Sequence, residues 1–189
     1  MADLHSTKLF YYHVADKHRT YSPLKHLFKP DARTAIPEIE IKDGMRILDV
    51  ACGNGKLIFA MSDILHDFQF DGIDISESKI NRCNRKNKND NVAFHVSSAD
   101  SMPFDDNTFD VVTFCNAVHL IPQKVKSIDE IHRVLKEGGK MYLLAGISKM
   151  SWKQKLEKIL RQTKFIRPLK KYLPRSAIFS KSFFVIATK

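Results

Sequence analysis

No stretch of this 189-residue sequence strings together the roughly 18 to 20 apolar residues that a helix needs to cross a bilayer. The segment Met1 to Lys8 has no apolar run of signal-peptide type, so a cytoplasmic protein is expected. Cysteine is scarce. Cys52, Cys83 and Cys115 lie far apart, form no CxxC pair and are odd in number. That excludes a disulfide framework and the usual zinc and redox signatures, leaving buried or idle thiols and no expected metal. Internal repeats and low-complexity tracts are absent too, which excludes repeat architectures.

What is present suits one soluble domain. The hydrophobic fraction is 43% and the charged fraction 28%, ordinary for a globular chain long enough to bury a sizeable core. The net charge of +10 is lopsided. From Lys149 to Lys189 there are 12 lysines and arginines against the single acid Glu157. The first 148 residues hold the other 19 basic residues and 20 acidic ones, so they are close to neutral.

The chain reads as an arm, residues 1–40, followed by a domain, residues 41–189. The arm mixes aromatics and histidines, and Pro23, Pro30 and Pro37 break it into short helical pieces that suit a cap. From Met45 short apolar strands alternate with helical stretches, the rhythm of βαβ units. Strands are expected at Met45–Val50, Gln69–Ile75, Val92–Ser97, Asp110–Cys115 and Lys140–Ala145. Helices are expected at Lys56–His66, Ser76–Lys88 and Lys124–Lys136, the last stopped by Gly138-Gly139. Residues 149–175 read as a basic helical segment within the domain, and Ser182–Lys189 as a closing strand. The expected fold is α/β: a Rossmann-like, doubly wound, mostly parallel sheet with an antiparallel C-terminal strand. Its ligand crevice would lie at the strands' carboxyl ends.

The stretch Met45–Leu57, MRILDVACGNGKL, combines an apolar strand, an acid at its end, a glycine-rich turn and an amphipathic helix. Gly53 and Gly55 allow backbone conformations that a side chain would obstruct and let the chain come close to a ligand. The helix N-terminus offers N–H groups, and Asp49 is placed to hold a cationic or hydroxylated group. A lone Gly-x-Gly is equally the mark of a plain tight turn. Its context is more specific. The next strand ends at Asp74, nineteen residues after Gly55, near the spacing at which a second-strand acid meets ribose hydroxyls. The third strand runs into Ser98-Ala99-Asp100-Ser101, which puts another acid at a strand end, suited to an exocyclic amine such as that of adenine.

With these motifs the chain resembles the class I S-adenosylmethionine-dependent methyltransferases, in particular their quinone-biosynthesis-like, small-molecule branch. The resemblance runs from about Met45 to Ala145. It also rests on Phe109–Asn116 and on Ser127–Gly139, which look like the family's later motifs. It implies S-adenosyl-L-methionine as cofactor and S-adenosyl-L-homocysteine as product. The methionine part of the cofactor would lie over Asp49, Ala51, Gly53 and Gly55, the ribose on Asp74 with Ile75 beside it, and the adenine on Asp100 with Ala99 and Ser101. Cys115 and Asn116, at the end of the fourth strand, complete the implied cofactor set. Ala51 departs from the family's usual glycine by one methyl group. The same departure weakens a dinucleotide reading, because Gly-x-Gly-x-x-Gly cannot be laid over residues 51–56.

Methyl transfer needs chiefly alignment of the acceptor with the sulfonium methyl group. If a base is used, His119 is the candidate, since it leaves the fourth strand at its carboxyl end and imidazole accepts protons near neutral pH. The bland alternative is a packing or cofactor-adjacent histidine. Tyr11, Tyr12 and Tyr21 are candidates for acceptor contact, with core packing as their alternative.

The expected acceptor is a small molecule or a lipid-like compound. The basic segment leaves two other partners open. RNA would suit its charge. An anionic membrane surface would suit the pattern of Trp152, Leu156, Ile159 and Leu160 among lysines, and peripheral membrane association would follow. That same pattern also describes a helix laid on the sheet. Against base methylation, Asn116-Ala117-Val118 lacks the Pro-Pro-aromatic sequence of enzymes acting on base amino groups, and no cysteine follows a proline. An RNA-directed methyltransferase and a non-catalytic S-adenosylmethionine-binding protein remain as alternatives.

Overall fold

The computed structural model describes residues 41, 44–62, 67–146, 158–165, 170–172 and 182–189. The arm, with Tyr11, Tyr12 and Tyr21, lies outside them, as do Trp152 and Leu156.

Seven strands form one sheet: β1 (Met45–Val50), β2 (Phe68–Asp74), β3 (Val92–Val96), β4 (Phe109–Cys115), β5 (Leu135–Gly146), β6 (Lys170–Tyr172) and β7 (Ser182–Thr188). The helices are α1 (Lys56–Ser62), α2 (Glu77–Lys86) and α3 (Lys124–Val134). The spatial order is β3-β2-β1-β4-β5-β7-β6. Strands β1 to β5 pair in parallel, and β7 runs antiparallel to both β5 and β6. The expected doubly wound sheet with an antiparallel C-terminal strand is therefore present.

Alternation along β1 sorts its side chains to two faces. Leu48 and Val50 join Ile73, Val112, Phe114, Ile128, Ile131 and Leu143 in a core beneath α3. Ile47 joins Ile58, Phe70, Ile80, Phe94 and Tyr142 in a second core beneath α1 and α2. Both faces of the inner strands are covered, which is why they read as continuous apolar runs. The buried acid on β2, Asp71, is answered on either side. Arg46 of β1 reaches its Oδ2 at 3.0 Å, and His95 Nε2 of β3 lies 2.8 Å from its Oδ1.

Two expectations need correction. Gly138-Gly139 does not end α3, which stops at Val134; both glycines lie within β5. They sit where the β4–β5 pairing jumps from Phe109↔Leu135 to Val111↔Lys140, and Gly138 takes a φ of 76° there. The basic segment, residues 149–175, is also not helical throughout. Its residues 158–160 are helical, but Lys170–Tyr172 form the edge strand β6. A three-residue strand carries no periodicity to reveal it. Leu160 and Phe165 are buried against the core beneath α3, with Ile159 packed beside them, while Lys158 and Arg161 face outward. Over these residues the apolar stripe is used in packing on the domain.

Candidate functional site

The parallel order reverses between β1 and β4, and at such a switch point the loops leave the sheet in opposite directions and open a crevice outside the strands' carboxyl ends. Asp49 stands at that point, opposite Gly72 of β2 and Thr113 of β4. Strands on either side bury the residue to 4% exposure. The Thr113 hydroxyl donates to Asp49 Oδ1 at 2.8 Å. Asp49 Oδ2 has no hydrogen-bond partner among the described residues. Burial pushes the Asp49 carboxyl up to about 7; the Thr113 hydrogen bond opposes the rise and the charge of Asp74 adds to it. An unpartnered oxygen on a buried acid is costly, and a donor or cation arriving there would relieve it.

Between β1 and α1, every second residue takes left-handed backbone: Ala51 at φ 56°, Gly53 at 59° and Gly55 at 67°. The turn is tied to the end of β2. Cys52 N donates to Ile73 O at 2.9 Å and Gly53 N to Asp74 Oδ2 at 2.9 Å. The other oxygen of Asp74 accepts from Ser76 N at 2.9 Å, with Lys79 Nζ 3.7 Å away. Each oxygen of an ionised carboxylate can accept about twice, so Asp74 keeps acceptor capacity while it fixes the turn.

The two glycines serve different ends. A methyl group at Gly53 would meet nothing within 4 Å, whereas one at Gly55 would come within 2.8 Å of Phe94 Cε1. Gly53 faces open space, and Gly55 lets α1 start against the Phe94 ring. Ile75, following Asp74, is 77% exposed, an unusual placement for a large aliphatic side chain at a strand end.

After β3, Ser101 N bonds back to Ser98 O and the Ser98 hydroxyl donates to Asp100 Oδ1, which makes a tight turn with Ala99 buried beneath it. At the end of β4, Asn116 takes a φ of 56°, and its N–H donates to Leu144 O. Burial, with Asp49 nearby, holds the thiols of Cys52 and Cys115 well above the ordinary range, which disfavours the thiolate. His119 lies exposed in the turn that follows, beside Leu120, which is 72% exposed.

The structure thus gathers Asp49, Ala51, Gly53, Asp74 and Cys115 around the switch point. It sets Ile75, Ala99, Asp100, Ser101, Asn116 and His119 on the same rim, and turns Gly55 to packing. Sequence reading missed Thr113. Its one signal was a hydroxyl in an otherwise apolar strand, and its role appears only through the register with Asp49.

A family model described as a methyltransferase domain matches residues 41–171. The chain belongs to the class I S-adenosylmethionine-dependent methyltransferases. It is 35% identical over 101 residues to phthiotriol/phenolphthiotriol dimycocerosates methyltransferase 1 of Mycobacterium ulcerans, covering 53% of this chain and 36% of that protein. It is 32% identical over 114 residues to demethylmenaquinone methyltransferase of Staphylococcus saprophyticus, covering 59% and 49%. The match therefore spans between about a third and a half of these relatives' lengths. Among solved structures, a SAM-dependent methyltransferase from Aquifex aeolicus superposes with a TM-score of 0.68 at 21% identity, over 92% of this chain and 97% of that one. That likeness supports the Rossmann-like fold.

The site chemistry of this methyltransferase domain fits S-adenosylmethionine. An unpartnered buried acid oxygen suits the cofactor's cations, spare acceptor capacity on Asp74 suits a diol, and an exposed aliphatic side chain suits the flat face of a base. Among the described residues no cluster of His, Cys, Asp or Glu could hold a metal ion, and no helix is long and apolar enough to cross a membrane.

Proposed function

We propose that the chain binds S-adenosylmethionine across the carboxyl ends of β1 to β4 and transfers its methyl group to an apolar small-molecule or lipid-like acceptor. The observation that carries this reading is the pair of buried carboxylates on neighbouring strands, Asp49 with one oxygen unpartnered and Asp74 tied to the glycine turn. The bound cofactor would supply an electrophilic sulfonium methyl group. The chain's own work is then to bind and orient. Asp49 would hold the cationic methionine end, Gly53 leaves room for close backbone approach, and Asp74 would accept from the ribose hydroxyls. Ile75 would pack against the adenine, and Asp100 would accept from its amine.

The acceptor side is the end of β4, where Asn116, His119 and Leu120 lie. An exposed leucine and an imidazole suit an apolar molecule with an ionisable hydroxyl or a carbon acid. The names of the two relatives, one for phthiotriol and phenolphthiotriol dimycocerosates and one for demethylmenaquinone, favour the same class.

Calorimetric titration with S-adenosylmethionine and S-adenosylhomocysteine tests the cofactor site. Micromolar binding that falls about 100-fold in Asp74→Ala is expected, the loss of two charge-assisted hydrogen bonds. No binding by folded wild-type protein would sink the proposal. Labelled methyl donor offered with quinols, phenols and RNA then separates the acceptor classes. Transfer to RNA alone would overturn the small-molecule reading, and cofactor binding without any transfer would favour a non-catalytic role.

A further inference from the structure

The loop that carries Asp100 has little regular structure of its own. From Ser97 to Thr108 its anchors in the core are Ala99, Met102 and the half-buried Phe104. Its backbone is held from outside, by two side chains one turn apart on α3. Glu130 Oε2 accepts from Met102 N at 2.9 Å. Arg133 Nη2 donates to Met102 O at 3.1 Å, and Arg133 Nη1 donates to Phe104 O at 2.7 Å and to Asp106 Oδ1 at 2.8 Å. The two side chains also lock each other, with Arg133 Nε on Glu130 Oε1 at 2.8 Å and Nη2 on Oε2 at 2.9 Å. Ser127, Ile128, Ile131 and Val134 fix α3 itself in the core.

We propose that Glu130 and Arg133 form a clasp that sets the position of Asp100 and so gives the site its preference for a 6-amino purine. The inference rests on the reading of Asp100 as the adenine contact. Met102 follows the Ser98–Ser101 turn directly, so the clasp fixes the chain two residues from the Asp100 carboxylate. The backbone of Met102 is gripped at both its N–H and its C=O. The residue therefore cannot rotate to let the turn drift, and Asp100, steadied internally by Ser98, keeps one oxygen aimed in a fixed direction. The planar fork of arginine is required here. It reaches two carbonyls and two carboxylates at once, which the single ammonium of lysine cannot do. A clasp that served folding alone would affect all ligands equally. One that aims Asp100 affects the amine contact in particular.

Calorimetric titration with S-adenosylhomocysteine and with S-inosylhomocysteine, in which an oxo group replaces the 6-amino group, separates these roles. Wild-type protein is expected to favour the adenosyl compound at least tenfold, and Asp100→Ala to erase that ratio. Arg133→Lys is expected to narrow the ratio at least fivefold, mostly by weakening the adenosyl compound. Glu130→Gln should narrow it less, because its amide oxygen still accepts from Met102 N, and it carries the test where Arg133→Lys does not fold. A wild-type ratio kept in both folded clasp variants, beside a collapsed ratio in Asp100→Ala, overturns the clasp alone. Equal weakening of both ligands overturns it too. Wild-type protein that binds the two alike overturns the Asp100 reading, and the clasp's role with it.

Discussion

The two sides of the switch point are built differently. On the side of β1, β2 and β3, side chains tie the strand ends, the glycine turn to Asp74 and the Asp100 loop to α3, while Asp49 is tied across the switch point to Thr113 of β4. On the side of β4 the strand end is held by backbone, with the Asn116 N–H on Leu144 O and Ala117 and Val118 buried, and the turn beyond offers an exposed histidine and an exposed leucine. The first side is preorganised by its own side chains. The second presents a surface that other parts of a protein can complete. A fold that keeps its cofactor and changes its acceptor would be divided in this way, with rigidity where the ligand is constant.

The largest effect expected on the rigid side comes from Gly55→Ala. The new methyl group would stand 2.8 Å from Phe94 in a residue at φ 67°, so overpacking adds to left-handed strain. A loss of about 2–4 kcal/mol is expected, read as a fall in denaturation midpoint. Gly53→Ala has open space, so its stability loss should stay near 1 kcal/mol while cofactor affinity drops further. Equal stability losses would show that the two glycines do not divide the work.

Next in size is Asp49→Asn. The folded carboxyl is held at about 7, above its ordinary value of 3.8, so the native state takes up protons that the unfolded chain does not. That group's contribution to stability is greatest below pH 4 and is lost as pH rises through 7. The asparagine variant should therefore be more stable than wild type at pH 8, by about 1–3 kcal/mol, and indistinguishable near pH 4. Its affinity for S-adenosylmethionine should be about tenfold lower, without the wild-type rise between pH 6 and 8. A variant that gained stability and kept its affinity would remove Asp49 from the cofactor set.

Ala51→Gly is smaller and of opposite sign. Alanine at φ 56° carries a strain that glycine lacks, offset by the loss of its methyl contact with the core and by a more flexible unfolded chain. A net gain of about 0.5–1 kcal/mol is expected, seen as a rise of a few degrees in melting temperature. A loss instead would mean that the methyl contact outweighs the strain.

How much of this the sequence revealed depended on how local the cause was. Met45–Val50 and the Asp49, Asp74 and Asp100 positions could be read because strand, acid and turn are neighbours in the chain. Gly53 and Gly55 looked alike, since what separates them is the ring of Phe94, in β3 and 39 residues past Gly55. Thr113 and the Glu130–Arg133 clasp depend on register and on a helix docking across the sheet, which no local pattern records. Gly138-Gly139 misled for the opposite reason: a strong local stop signal was overridden by β5 pairing from Leu135 onward.

The smallest expected effect on cofactor affinity tests the division most directly. His119 lies three residues past Asn116, in the exposed turn after β4, and no cofactor contact is assigned to it. His119→Ala should leave the affinity for S-adenosylhomocysteine within about twofold of wild type, because a residue outside the preorganised half contributes little to cofactor binding. Should the imidazole remove a proton from the acceptor, kcat for methyl transfer would fall by about 10²–10⁴ with that affinity intact. A tenfold loss of S-adenosylhomocysteine binding would instead place His119 against the cofactor. The rigid half would then extend past β4, and acceptor choice would have to be sought beyond the turn that carries it.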